Sequence, residues 1–131
     1  MVLDTPRISL QPTVQRIAEL ADLGPDWDSY GAAPLTAKAL IEAVRLTTRM
    51  AERFASAAEQ RALPWMVAPL ADGGVQIEWR GASGALEVEI SPEGQFGYLL
   101  ETGHGSTISY REGDHVSSEE IEQLLASVLN V

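Results

Sequence analysis

The spacing of apolar residues changes twice along this chain. Before Trp65 they recur at steps of three and four residues, and after it they alternate with polar residues. Helical spacing returns beyond Ser117. Steps of three and four place side chains on one face of a helix, whereas strict alternation places them on one face of a strand. Helices on both sides of an unbroken block of strands predict an α+β fold in which the helices cover one face of a sheet.

Three helices are predicted where a capping residue precedes apolar residues at helical spacing. The first covers residues 13–23 with Thr13 as its N-cap, and the second begins near Thr36 and continues to about Arg61. The third follows the run Ser117-Ser118-Glu119-Glu120, which has the pattern of a capping box. Two N-terminal helices and one C-terminal helix therefore flank the strands.

Five strands are predicted between residues 65 and 111, separated by short connections that all contain glycine. Because such short connections join only neighbouring antiparallel strands, we expect a five-stranded antiparallel meander. The last strand is predicted over residues 106–111, at an edge of the sheet. The core-facing residues of the first strand are expected to be Met66, Ala68 and Leu70.

The length of the chain, 131 residues, corresponds to one domain, so we predict a single domain over residues 1–131 with 1–12 as a candidate flexible arm. The sequence contains no cysteine, which excludes disulfide and thiolate chemistry. Its first residues lack the apolar segment of a signal peptide, and no apolar run approaches the ~20 residues of a membrane span. A cytoplasmic protein without a membrane partner is therefore expected.

Negative charge is concentrated in the second half of the chain. Residues 1–60 contain six Lys and Arg against eight Asp and Glu, whereas residues 61–131 contain three Arg against eleven acids. The net charge of −10 would repel nucleic acid, so direct nucleic-acid binding is not expected. A basic protein would be attracted instead, although acidity also serves solubility alone.

The connector LGPDWDSYGAAP, residues 23–34, is unusually rich in aromatic and acidic residues. In one interpretation Asp26, Asp28 and Tyr30 form an acid–base or metal-binding group, because carboxylates two residues apart can converge in a turn. In the other, Trp27 and Tyr30 form a structural plug between helix and sheet, and the aspartates accept hydrogen bonds from loop N–H groups. The plug is the preferred interpretation, because no third converging catalytic group is evident.

Parts of the chain resemble small uncharacterised bacterial proteins that contain a GWDxYGA segment followed by a DGG…EW and LEVEI hairpin. Here Pro-Asp separates the glycine from Trp27, where the pattern has them adjacent. The resemblance spans most of residues 20–101 and implies a shared fold and a bacterial origin, but no particular activity. The segments that carry it are residues 24–32, 72–74, 78–79 and 86–90.

The outer side of the predicted sheet collects acidic residues. If residues 81–84 form a four-residue loop, Glu78 lies directly opposite Glu87, and like charges in such pairs destabilise a sheet. The face is either a solvated surface or a docking surface for a positively charged protein. The residues predicted to contact that partner are Glu78, Arg80, Glu87, Glu89, Leu99 and Glu101.

His104 and His115 are the remaining candidates for a metal site, since both have acidic residues nearby. Their spacing matches no metal-binding motif, and no cofactor is predicted. The edge strand at 106–111 offers unpaired backbone groups, so it could pair with another sheet, either in a homodimer or by strand addition with a partner protein. In the alternative interpretation it is a short edge rich in serine and threonine that stays solvated. A homodimer through the sheet face is also open.

Together these patterns predict a small, acidic, non-enzymatic protein-binding module of the inhibitor, antitoxin or immunity-protein kind that docks a basic partner. One alternative is a small metal-dependent, hydrolase-like enzyme that uses Asp26, Asp28 and Tyr30. The other is a structural homodimer.

Overall fold

The computed structural model describes residues 10–55 and 62–131. Within these ranges the chain forms three α-helices and a five-stranded antiparallel sheet, so the predicted α+β class is confirmed. A short 3₁₀ turn at Gly105–Thr107 precedes the last strand. The elements in chain order are α1 (Gln11–Ala21), α2 (Ala37–Arg53), β1 (Met66–Pro69), β2 (Val75–Gly81), β3 (Gly84–Ile90), β4 (Phe96–Thr102), β5 (Ser109–Val116) and α3 (Ser118–Leu129).

Two of the predicted helix N-caps are confirmed. The Thr36 hydroxyl oxygen accepts a hydrogen bond from Ala39 N at 3.0 Å. The same hydroxyl donates to the Pro92 carbonyl oxygen at 2.7 Å, which ties the start of α2 to the turn between β3 and β4. Ser117 Oγ accepts from Glu120 N at 3.2 Å at the start of α3. Each cap satisfies an N–H group that the helix leaves without a partner, a contribution of ~1 kcal/mol.

The start of α1 differs from the prediction. The helix begins at Gln11, its N-cap is Leu10 without a side-chain capping bond, and Thr13 is buried within it rather than capping it. Pro12 lies in the first turn, where the helix requires no N–H donor, so it opens the helix instead of preceding it. The predicted arm at 1–12 therefore overlaps α1, and residues 1–9 lie outside the described residues.

The ends of the first two helices also lie earlier than predicted. α1 ends at Ala21 and α2 ends at Arg53, with Phe54 as its C-cap. Part of the predicted continuation of α2 to Arg61 falls on residues 56–61, which lie outside the described residues.

The strands follow one another in the sheet in the order β1-β2-β3-β4-β5, which confirms the meander. The β2–β3 register is also the predicted one, with Trp79 opposite Leu86, Arg80 opposite Ala85 and Glu78 opposite Glu87. The loop is shorter than the expected four residues, because Gly81 pairs with Gly84 and only two residues connect the strands. The register is the same for both loop lengths, since extending each strand by one residue keeps the same residues opposite one another.

The prediction of which β1 residues face the core is wrong. Val67 is buried and lies opposite Ile77, whereas Met66 and Ala68 pair with Glu78 and Gln76 on the other side of the sheet. Apolar residues occupy both sets of alternate positions in this short strand, so the hydrophobic pattern cannot decide its orientation. The pairing with β2 does.

β5 extends further than the predicted strand at 106–111. It covers Ser109–Val116, and its pairing with β4 is irregular near His115, whose φ of 54° marks a bulge. Most of these residues are polar and show no apolar alternation, so the alternation predicts an end at residue 111, before the strand itself ends. Hydrogen bonding to β4 extends the strand to Val116.

The buried side chains of the three helices pack together with alternate side chains of the sheet in one hydrophobic core. α3 contacts β2, β3 and β4, while α1 contacts β1 and α2 contacts β2 and β3. On the opposite side of the strands the alternate residues are half-buried or exposed, and we call this side the outer face. The core-facing strand residues without any solvent exposure are Val75, Ile77, Trp79, Leu86, Val88 and Ile90.

Candidate functional site

The strand register brings all six predicted partner-contacting residues onto the outer face. Glu101 lies opposite Ala85 on β3 and Tyr110 on β5, and Leu99 lies opposite Glu87 and Glu112. Residues opposite one another in a sheet point to the same side, so these positions form one continuous surface. The outer-face residues of β2 to β5 are Gln76, Glu78, Arg80, Ala85, Glu87, Glu89, Gly97, Leu99, Glu101, Tyr110, Glu112 and Asp114.

Arg80 is the one lysine or arginine at the outer positions of the described strands, and it is already engaged. Its Nε donates to Glu78 Oε2 at 2.6 Å, and its guanidinium lies 3.3 Å from the centroid of the Trp65 ring. An exposed ion pair of this kind contributes only about 0.2–1 kcal/mol. It neutralises Glu78 in part. Among residues 10–55 and 62–131, the acidic residues of β3 to β5 have no lysine or arginine partner on the outer face.

An open depression of about 450 Å³ lies around Gly97, where β3, β4 and β5 adjoin on the outer face. Glycine leaves a gap there in the layer of side chains, and a Cβ built at this position would lie 2.7 Å from Asp114 Oδ1. We call the feature the acidic depression because four carboxylates line it. Its lining residues are Glu87, Glu89, Gly97, Tyr98, Leu99, Glu112, Gly113 and Asp114.

Sequence reasoning missed three parts of this depression. Glu112 and Asp114 lie beyond the predicted end of the last strand, so they were not assigned to the outer face. Gly97 lies within the predicted block of strands, but no site is predicted for it. A glycine inside an otherwise alternating strand often marks a place where another group approaches closely, and that signal was available.

The pKa of one carboxyl in the depression is perturbed. Burial raises the pKa of Glu87 above its ordinary value, and the negative charges of Glu89 and Glu78 raise it further. A hydrogen bond from Gln76 Nε2 to Glu87 Oε1, 2.5 Å long, acts in the opposite direction. The net direction shows that the ionised form of Glu87 is held in an unfavourable environment.

The aspartates of the 23–34 connector bind the loop backbone, as the structural interpretation expects. Asp26 Oδ1 accepts from Gly31 N at 2.6 Å, and Asp28 Oδ1 accepts from Tyr30 N at 2.8 Å and Ala32 N at 3.1 Å. The backbone of Asp26 is left-handed, with φ 61°, a conformation that aspartate tolerates better than most residues. These bonds hold the connector in a compact loop.

The two aromatic residues of this connector differ in burial, and a plug formed by Trp27 stays a prediction. Trp27 is half-buried and its indole Nε1 donates to the Ala33 carbonyl oxygen at 2.8 Å. Tyr30 is 92% exposed, so its assignment to the plug is wrong. The hydrogen bond from Tyr30 N to Asp28 closes a tight turn that carries the ring outward. The backbone N–H of Ala33 bonds to Ala71, which fastens the connector to the β1–β2 turn.

The structure does not bring the remaining candidates together. His104 precedes the 3₁₀ turn at one end of β5, and His115 lies in the bulge near the other end. Within residues 10–55 and 62–131, no group of three or more histidine, aspartate or glutamate side chains is arranged to hold a metal ion. None of the described helices has the length and apolar character needed to cross a bilayer.

Comparison with protein families, curated proteins and solved structures finds no match to this chain. The resemblance to small bacterial proteins therefore stays a prediction. Function has to be inferred from the outer face itself, where an acidic depression lies beside exposed apolar side chains.

Proposed function

We propose that this protein is a binding module of the inhibitor, antitoxin or immunity-protein kind whose outer face docks a basic protein. The observation that carries the proposal is the acidic depression, where four carboxylates surround a strand position without a side chain. Its volume accommodates a lysine or arginine side chain at the centre of the contact. A cation placed there would offset repulsion that the free protein retains.

Apolar groups around the acidic residues support docking rather than simple solvation. Leu99 borders the depression, and Tyr110 and Trp65, which are 65% and 59% exposed, lie toward the two edges of the same sheet. Aromatic and aliphatic side chains beside charged groups supply the apolar contact area that a stable protein–protein interface requires. A basic protein with apolar residues near its cations fits this surface.

The net charge of the protein also affects how fast a basic partner associates with it. With a net charge of −10, the protein attracts a basic partner at long range, and the attraction weakens as salt shortens the Debye length. We expect salt to lower the association rate more than it raises the dissociation rate. Lysine or arginine residues of the partner would then make the contacts that determine its lifetime.

The experiment compares two double variants of equal net charge. Glu87→Gln with Glu89→Gln alters the acidic depression, whereas Glu52→Gln with Glu93→Gln alters exposed residues of α2 and the β3–β4 turn. The probe is a fluorescent decapeptide of alternating lysine and threonine, and its Kd is measured by polarisation. The outer-face variant is expected to bind roughly two- to thirtyfold more weakly, because two exposed ion pairs are lost and each is worth about 0.2–1 kcal/mol.

The second variant is the control for net charge. It is expected to bind the decapeptide within about twofold of the unmodified protein, because neither residue lies on the outer face. An equal loss in both variants would mean that overall acidity, not this surface, attracts the peptide, and the proposal would be wrong.

A further inference from the structure

The two edges of the sheet differ in how they are protected. β1 has only four residues and ends in Pro69, which has no N–H group to offer another strand. The Arg16 side chain of α1 covers this edge, because its Nε donates to the Val67 carbonyl oxygen at 3.3 Å. Short length, proline and coverage are among the features that keep an edge strand from pairing with another chain, as are bulges and charged side chains.

The opposite edge is less protected, because its bulge is confined to the end near His115 and residues 109–113 pair regularly with β4. β5 has eight residues, it is the last strand in the sheet order, and all of its side chains are exposed or half-buried. Among the residues that the structure describes, no arginine donates to a carbonyl oxygen of β5. The N–H and C=O groups of alternate β5 residues point away from β4, and within residues 10–55 and 62–131 no backbone hydrogen bond to another segment uses them. An added strand can therefore pair with them.

We propose that an extended basic segment of the partner adds to β5 as a sixth strand. The inference rests on the proposed function, since it uses the same outer face, and it adds the way in which the partner binds. In an added strand, outer-face side chains lie opposite Tyr110 and Glu112 and beside Asp114. Cations at alternate positions would face the two carboxylates, and an apolar residue would face the tyrosine.

Charge selects this occupant over a second copy of the chain. A self-paired edge would bring together two molecules that each carry a net charge of −10. Glu112 and Asp114 would then meet an acidic neighbour across the new interface. A lysine-rich strand replaces that repulsion with cross-strand pairs of opposite charge.

Backbone methylation of the lysine–threonine decapeptide tests the proposal. One version carries N-methyl groups on every lysine and another carries them on every threonine, so charge and side chains stay the same. Only one of these two sets of amides faces β5 in an added strand, because N–H groups alternate in direction. We expect one version to bind at least tenfold more weakly than the parent peptide and the other to bind within about threefold of it.

Amide hydrogen exchange measured by NMR supplies a second readout. Saturating parent peptide is expected to slow exchange at alternate residues of β5 by at least tenfold and to leave β1 unchanged. Equal affinities of the two methylated peptides, together with unchanged exchange in β5, would overturn strand addition. If Glu87→Gln with Glu89→Gln still weakened binding in that case, the proposed function would stand without it.

Three other outcomes are informative. In the first, one methylated peptide fails to bind, but the Glu87 and Glu89 substitutions leave the affinity of the parent peptide unchanged. This result would support strand addition and contradict the outer face as the binding surface. Absence of binding by the parent peptide would overturn both proposals. A doubled mass in light scattering, with β5 amides already protected in the peptide-free protein, would show that a second copy occupies the edge and would overturn strand addition.

Discussion

Replacing Glu87 by glutamine removes a half-buried carboxylate from the outer face while preserving the size of the side chain. The glutamine amide still offers an oxygen acceptor to Gln76 Nε2, which now donates to the carboxylate. Repulsion from Glu78, directly opposite, and from Glu89, two residues along the same strand, is lost. We therefore expect Glu87→Gln to be more stable than the unmodified protein at neutral pH.

The size of this gain follows from the geometry. A like-charge pair directly opposite across two strands costs about 0.2–1 kcal/mol, and the pair two residues apart along the strand costs less because water screens it. Together the two pairs predict a gain of roughly 0.5–1.5 kcal/mol in the free energy of unfolding. For a chain of 131 residues this corresponds to a Tm increase of about 2–6 °C.

The dependence on pH has a definite sign. Because the pKa of Glu87 in the folded protein is raised above its ordinary value of 4.5, the folded state binds this proton more tightly than the unfolded state. Stability from this group is present below the unfolded pKa and is lost as pH rises through the folded pKa. The advantage of Glu87→Gln should therefore be clear at neutral pH and disappear in acid, where the unmodified carboxyl is protonated.

Thermal unfolding followed by circular dichroism, at neutral pH and at a pH below 4.5, measures this difference. The control is Glu93→Gln in the β3–β4 turn, which is exposed and should change Tm by little at either pH. A gain of the same size at both pH values, or a loss of stability at neutral pH, would refute the reasoning. A more stable variant that binds the basic probe less well would indicate that the repulsion is retained for binding.

Further substitutions test how backbone conformation, burial and capping contribute to the free energy of unfolding. Gly97→Ala should change the free energy of unfolding by less than about 1 kcal/mol, because the only close atom its Cβ would meet is the end of a flexible carboxylate, with a backbone oxygen at ordinary contact distance. Gly84→Ala should cost more than about 2 kcal/mol, since φ is 151° and the Cβ would overlap a β4 carbonyl oxygen. Urea unfolding compares the two. Trp27→Ala should cost about 2–3 kcal/mol in the same assay and Tyr30→Ala less than about 0.5, as their burial differs. Thr36→Ala should cost about 1–2 kcal/mol through the lost N-cap and the hydrogen bond to the β3–β4 turn, and equal stability would contradict this.

Local chemistry accounts for the parts of the fold that were predicted correctly. The caps at Thr36 and Ser117 act within three residues of the chain, and the pairing of Glu78 with Glu87 follows from one short turn. Interactions over so few residues leave little freedom for the rest of the molecule to change them. The predicted partner-contacting residues share one face for the same reason, because alternation along each strand and short turns between strands preserve it.

Predictions failed where the local pattern allowed two answers. β1 has apolar residues on both sides, so its pairing with β2 decided that Val67 faces the core. Tyr30 and Trp27 have similar burial preferences, yet the hydrogen bonds of the loop carry one ring outward and the other inward. Residue type alone cannot distinguish such cases, since the outcome depends on groups that are distant in sequence.

The amino-acid sequence by itself determined the α+β class, the order of helices and strands, the antiparallel meander and the collection of acidic residues on one side of it. All of these depend on periodicity, capping and turn length, which act over a few residues. Only the tertiary structure decided that the carboxylates of β3 and β5 surround Gly97 and that β5 is the open edge. Those arrangements arise because the bulge near His115 and the pairing with β4 place residues from different strands side by side.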